Sequence, residues 1–205
     1  IIIVSGLPRS GTSLMMQMLN NSGCKVLVDE KRKADESNPK GYFEYKPVMN
    51  LMNDNSWLHK AKSKAIKIVA PLLKFLDQEH RYKVIFMQRD LDEIMVSQSK
   101  MLKRDHETLS LSLKEGLESI LSEVKRWVNS SPGVQILIVD YNALIDNPNS
   151  QIPKIIDGIK SYKTLNKNKP RWRKIYLIFP RKKNLTASIF LYFRKNFINK
   201  KITKI

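Results

Sequence analysis

The sequence predicts an α/β fold, a mostly parallel sheet flanked by helices in three layers. Three observations carry that reading. An apolar run, Ile1 to Val4, leads through Ser5-Gly6-Leu7-Pro8-Arg9-Ser10-Gly11-Thr12-Ser13 into a helical pattern holding Leu14, Met15, Met18 and Leu19. That is a strand, a tight glycine loop and a helix start, the P-loop type of arrangement. Short apolar runs then alternate with helical patterns, and strands separated by helices pair in parallel with both faces covered. The chain has 205 residues, 42% of them apolar, enough for one such core and too little for two full domains.

Along the chain, Gly6 and Gly11 permit backbone angles closed to other residues, so consecutive N–H groups converge on an anion at the positive end of the following helix. A nucleotide-type ligand fits that cradle. Lys25-Val26-Leu27-Val28 reads as a short strand, residues 31 to 46 as a polar loop, and Pro47 to Asn53 as a brief helix. Ala65 to Ala70 reads as a strand ended by Pro71, with Leu72 to Gln78 helical after it. Lys83 to Gln88 is the next strand. In the helix beyond it, Asp90 and Glu93 form a D-x-x-E start signal, and Leu91, Ile94, Met95, Met101 and Leu102 supply the apolar stripe. A long helix around 108 to 129, a strand from Gln135 to Val139 and a helix around 152 to 161 complete the pattern. Asn166 to Lys174, rich in Lys and carrying Pro170, marks the boundary between a core of residues 1–165 and an extension of residues 166–205.

Charge divides the chain at nearly the same place. Residues 160 to 205 hold 15 Lys or Arg and no Asp or Glu, leaving 22 of the 37 cations against all 19 anions in the first 159 residues. Within the extension, Leu185, Ile189, Phe190, Phe193 and Phe197 recur at helical spacing among lysines and arginines. Such a basic amphipathic helix lies on an anionic membrane surface or grips an acidic polymer; a weakly ordered, lysine-heavy terminus is the alternative. No apolar run reaches the roughly 18 residues that cross a bilayer. The chain opens inside an apolar run without an initiator Met, the pattern of a shortened start, and shows no signal-peptide pattern. A single cysteine, Cys24, forms no internal disulfide and reads as a packing residue, which points to the cytoplasm and, through the extension, to the periphery of a membrane.

The glycine loop departs from G-x-x-x-x-G-K-[ST] in one respect: Thr12 stands at the lysine position, and the cation has moved to Arg9. A triphosphate calls for that lysine, whereas a shorter anionic tail is held by backbone amides, one Arg, and the Thr12 and Ser13 hydroxyls. Pro8-Arg9-Ser10-Gly11-Thr12-Ser13-Leu14-Met15 closely resembles the 5′-phosphosulfate loop of sulfotransferases that use 3′-phosphoadenosine 5′-phosphosulfate (PAPS), in the Arg form of bacterial and tyrosylprotein-type members. The resemblance implies that Pro8, Arg9, Ser10, Gly11, Thr12 and Ser13 hold the 5′ end of PAPS. The family's second signature, an Arg ending a later strand and a Ser eight residues on, is matched by Arg89 and Ser97, which it implies as the 3′-phosphate site. The residues support that pairing without the family, since Arg89 stands at a strand's carboxyl end and Ser97 in the next helix, at the sheet edge where ligands bind.

In-line sulfuryl transfer asks for a base near the attacking hydroxyl and for cations on the sulfonate and the leaving oxygen; it requires no metal. Arg9 suits the leaving phosphate. Lys67 interrupts the apolar run Ala65-Ile66-Lys67-Ile68-Val69-Ala70 and resembles the family's active-site strand lysine; the alternative is an edge strand guarded against aggregation. Asp29-Glu30-Lys31-Arg32 falls where tyrosylprotein-type members have Glu-Glu-x-Arg, which implies Glu30 as base with Arg32 on the substrate or sulfonate. The Asp-Gly-x-Arg of bacterial relatives shifts the base to Asp29. Glu44 is a third candidate, in a loop whose turn is set by Pro39 and Gly41. His59, His80 and His106 stand in polar surroundings, with no Cys or second His at metal-ligand spacing. The cytosolic branch has its base histidine beside the strand lysine, where this chain has Ile68, so a carboxylate base is favoured. Trp57 and Tyr141 are candidates to stack on adenine, with a core role as the alternative.

The resemblance runs from Ile1 to about Pro148, and the Arg-Lys-Gly-x-x-Gly-Asp-Trp-Lys run of cytosolic members is missing beyond it. It implies a PAPS-dependent sulfotransferase acting on a hydroxyl acceptor: a glycan, a lipid, a small molecule or a peptide tyrosine. Two alternatives come from other classes, a P-loop kinase or NTPase and a noncatalytic binder of membrane or anionic polymer, with nucleic acid the less favoured partner.

Overall fold

The computed structural model describes residues 1–29, 32, 34–35, 38–102 and 110–160. The basic extension with its amphipathic pattern, the base candidate Glu30 and His106 lie outside the described residues. The described chain runs β1 (Ile2–Gly6), α1 (Thr12–Asn21), β2 (Ala65–Lys67), β3 (Tyr82–Gln88), α2 (Leu91–Leu102), α3 (Ser110–Ser130), β4 (Val134–Asp140), α4 (Tyr141–Asp146) and α5 (Pro148–Lys160). Tight 3-10 turns at Lys46–Asn50, Ser56–Ala61 and Ala70–Phe75 fill the connections around β2.

The four strands form one sheet in the order β2-β1-β3-β4, and every pairing is parallel. Strand alternation sends successive side chains to opposite faces. Ile3, Ile66, Val84 and Phe86 therefore enter a core with α2 and α3, while Val4, Ala65, Ile85 and Met87 enter a second core with α1 and α5. The outcome is the expected three-layer α/β arrangement. Because the central strands are buried on both faces, Ile3, Val84, Ile85 and Met87 are all closed to solvent, and the strands read as continuous apolar runs.

The helices read at Pro47 to Asn53 and Leu72 to Gln78 are short 3-10 turns, Lys46–Asn50 and Ala70–Phe75, and four further differences have a local reason. Lys25 to Val28 is no full strand: it meets the sheet through one bridge, Val26 to Ala65. The run from Ala65 leaves β structure after Lys67, since Pro71 lacks an N–H and starts a 3-10 turn at Ala70. Asp140 caps α4, its Oδ1 accepting from the Ala143 N–H at 2.7 Å, so a helix follows directly where the sequence showed only the end of a strand. Pro148 opens α5 a turn earlier than the apolar pattern suggested. Among the described residues, no helix is long and apolar enough to cross a membrane.

Candidate active site

The glycine loop leaves the carboxyl end of β1, a central strand, and turns at once. Gly6 is obligatory there: a Cβ would lie 2.4 Å from Ser10 Oγ and 2.7 Å from the Met87 carbonyl oxygen. Ser10 is fully buried and its hydroxyl donates to the Leu7 carbonyl at 2.7 Å, so it braces the loop from inside. Pro8 is exposed at the outer corner, and Arg9 adopts a left-handed φ of 67°. Gly11 is the N-cap of α1 with φ 95° and offers no side chain to the first turn. The opening amides of α1 are thus left for another acceptor, with Thr12 and Ser13 hydroxyls beside them. A Cβ on Gly11 would lie 2.4 Å from Tyr141 Cδ2, so the loop is closed against the first residue of α4.

The segment carrying Arg89 and Ser97 meets the glycine loop. Arg89 follows β3, and its Nη1 donates to the Arg9 carbonyl at 3.0 Å. Arg9 Nε in turn donates to Ser97 Oγ, on α2, at 3.0 Å. Arg9, Arg89 and Ser97, 88 positions apart at the extremes, therefore share one edge of the sheet. The Arg89 guanidinium carbon sits 4.5 Å from the centre of the Tyr141 ring, a cation–π distance. Tyr141 is consequently placed as a wall of this corner, whereas Trp57 is core: it is buried and packs edge-on to Tyr45 with centroids 5.4 Å apart.

A third group stands beside the loop. Lys67 is 7% exposed although β2 is an edge strand, so its ammonium does not guard that edge against solvent; it points inward and donates to the Tyr42 carbonyl and, at 3.2 Å, to Glu44 Oε1. Ser13 Oγ donates to the same Tyr42 carbonyl at 3.3 Å, which joins α1 to this group. Glu44 Oε1 also accepts from Arg32 at 3.0 Å, and the Arg32 guanidinium lies over the Tyr42 ring, 3.4 Å from its centre. The Tyr42 hydroxyl donates to Asp35 at 2.7 Å. Burial lowers the Lys67 pKa from its ordinary 10.5; the Glu44 carboxylate pushes it up and Arg32 pushes it down again. Burial together with the Asp35 hydrogen bond raises the Tyr42 phenol.

Among the described base candidates, Glu44 is in contact with both Lys67 and Arg32. Asp29 is a neighbour through the backbone, its N–H donating to the Glu44 carbonyl at 2.8 Å, but its Oδ2 accepts from the Lys46 N–H at 2.5 Å at the start of a 3-10 turn. His59 rests on the Ser56 carbonyl, and His80 on Asp77 just before β3, away from the carboxyl edge. Among the described residues, no group of three or more His, Cys, Asp or Glu is placed to hold a metal ion.

A family model described as the sulfotransferase domain matches residues 1–196. The chain belongs to that family. Sulfuryl transfer is therefore its reaction class, and the matched stretch extends from Ile1 into the basic extension. A comparison with curated proteins found no match. Within this sulfotransferase site, sequence reasoning missed Tyr42 and Asp35. Tyr42 contributes mainly a backbone carbonyl, for which no side-chain motif exists; Gly41 before it, with φ 88°, was the available signal of a sharp turn.

Proposed function

We propose that this sulfotransferase takes PAPS as donor and a hydroxyl-bearing molecule as acceptor, with Glu44 as the base. One observation carries the reading: Arg89 reaches the Arg9 carbonyl and Arg9 reaches Ser97, each at 3.0 Å, so the segments suited to a 5′ and a 3′ anion open on one corner. The fit to a doubly charged adenosine is supported by the uncapped first turn of α1 and by the close approach of Tyr141 to Gly11, which shapes the cradle. PAPS supplies an activated sulfuryl group: the acceptor oxygen bonds to sulfur while the bond from sulfur to the 5′-phosphate oxygen breaks, releasing adenosine 3′,5′-bisphosphate.

The chain's own residues then have distinct tasks. Arg9 and the amides of Gly11, Thr12 and Ser13 bind the 5′-phosphate and its growing charge. Lys67, held by Tyr42 and Glu44, presents a cation pre-set toward the sulfonate oxygens. Glu44 accepts the acceptor's proton at its carboxylate, and Arg32 keeps that carboxylate aimed. Arg89 and Ser97 hold the 3′-phosphate.

Calorimetric titration of adenosine 3′,5′-bisphosphate into wild type and Arg89→Ala tests the reading. Loss of the charge-assisted contacts should weaken binding by about 2–3 kcal/mol, roughly thirty- to a hundredfold. Equal affinity in the two proteins would remove the 3′-phosphate site.

A further inference from the structure

Three groups of the chain hold the Arg89 guanidinium. Its Nε donates to Glu93 Oε2 at 3.0 Å, one helical turn on. Its Nη1 is committed to the Arg9 carbonyl, and its face to the Tyr141 ring. Glu93 is held in its turn, since Oε1 accepts from Asn142 Nδ2, in the first turn of α4, at 2.9 Å. The start signal at Asp90 does not need the Glu93 carboxylate, because Asp90 Oδ1 accepts from the N–H groups of Asp92 and Glu93 at 2.9 and 3.1 Å. An arginine offers five N–H donors in a planar fork. Two are occupied here, so the remaining three have a fixed direction.

We propose that Glu93, locked by Asn142, is a positioning residue that sets the plane of the Arg89 fork for the 3′-phosphate, an inference that rests on the PAPS reading above. Gripping a phosphate with a long flexible side chain loses rotamer freedom, and a carboxylate on the Nε edge restricts that freedom independently of the phosphate. The charge of Glu93 acts in the opposite sense, repelling the phosphate and competing for Arg89. The two effects give opposite signs on removal: a positioning carboxylate strengthens selection for the 3′-phosphate, and a mere counter-ion weakens it.

The measurement is the preference for adenosine 3′,5′-bisphosphate over adenosine 5′-monophosphate, taken by calorimetry on wild type, Glu93→Ala, Glu93→Gln and Asn142→Ala. Glu93→Ala should cut the preference about tenfold, the scale of one charge-assisted hydrogen bond, with affinity for the monophosphate held within about threefold. Glu93→Gln keeps an acceptor for Arg89 and should restore part of the preference. Asn142→Ala should shift it in the same direction as Glu93→Ala, and it carries the test if Glu93→Ala does not fold. A preference that is unchanged or increased in Glu93→Ala and Asn142→Ala overturns the positioning role while leaving the PAPS reading intact. A wild type with no preference for the bisphosphate overturns both.

Discussion

Replacing Lys67 with Met separates a catalytic cation from a structural one. Two terms act on stability. Burial penalises the ammonium, as its lowered pKa records, and Met relieves that penalty at similar length. Against it stands the lost contact with Glu44, but that carboxylate is 36% exposed and retains Arg32 at 3.0 Å, so it is not stranded in the interior. Removing one half of a fully buried pair costs about 3–5 kcal/mol, whereas pairs with an exposed member contribute about 0–1 kcal/mol. The Tyr42 carbonyl keeps the Ser13 hydroxyl. Unfolding free energy in urea is therefore expected to change by less than about 1 kcal/mol. Turnover should behave differently, since loss of a preorganised donor at developing charge costs about 2.7–4 kcal/mol, or 10²–10³ in kcat. Stability and turnover measured on one preparation decide the matter. A kcat within about threefold of wild type, with sulfuryl transfer intact, would refute the assignment of Lys67, because the expected loss is at least a hundredfold.

The same residue predicts a pH dependence. Its folded pKa lies below the ordinary 10.5, so between those two values the unfolded chain binds more protons and stability rises with pH; that slope should be missing from the Lys67→Met curve and present in the difference between wild type and Lys67→Met. For the base, Glu44→Gln should lower kcat about 10²–10⁴-fold and Asp29→Asn less than about tenfold, and the reverse order in a PAPS turnover assay would move the role to Asp29. Gly11→Ala should destabilise by about 1–2 kcal/mol from the left-handed backbone alone and displace Tyr141 as well; an unchanged thermal midpoint with unchanged nucleotide affinity would show that the loop is looser than its φ of 95° indicates.

Legibility in the sequence followed the range of the interaction. The glycine loop was readable because Gly6, Arg9 and Gly11 act within a few residues, and their spacing is the structure. Arg89 was readable because a strand followed at once by a cation and a helix start puts that cation at the carboxyl edge of a parallel sheet. Lys67 announced itself as a charge in an apolar run. Its partner did not: Glu44 is 23 positions away, and it shares the contact with a backbone carbonyl that no residue type encodes. The resemblance placed Asp29 ahead of Glu44, and what tells them apart is the contact of Glu44 with Lys67 and Arg32 and that of Asp29 with the Lys46 amide. The helix α4 was hidden because Asp140, which caps it, also ends β4.

The Tyr42 to Glu44 turn shows why the two halves of the site depend on each other. Phe43 holds a left-handed φ of 53°, a conformation that costs a non-glycine residue about 1–3 kcal/mol and persists where the surroundings over-determine it. Here they do. Tyr42 is pinned by Lys67 and Ser13 at its carbonyl, by Arg32 on its ring and by Asp35 at its hydroxyl, while Glu44 is drawn back to the same ammonium one residue beyond the bend. An extended Phe43 would turn either the carbonyl or the carboxylate away from Lys67. The bend therefore converts the two positions flanking Phe43 into two acceptors on one cation, and the Ser13 hydroxyl ties that arrangement to the first turn of α1. The Ser13 hydroxyl and the Lys67 ammonium thus meet at a single carbonyl oxygen, which joins the first turn of α1 to the Lys67–Glu44 pair.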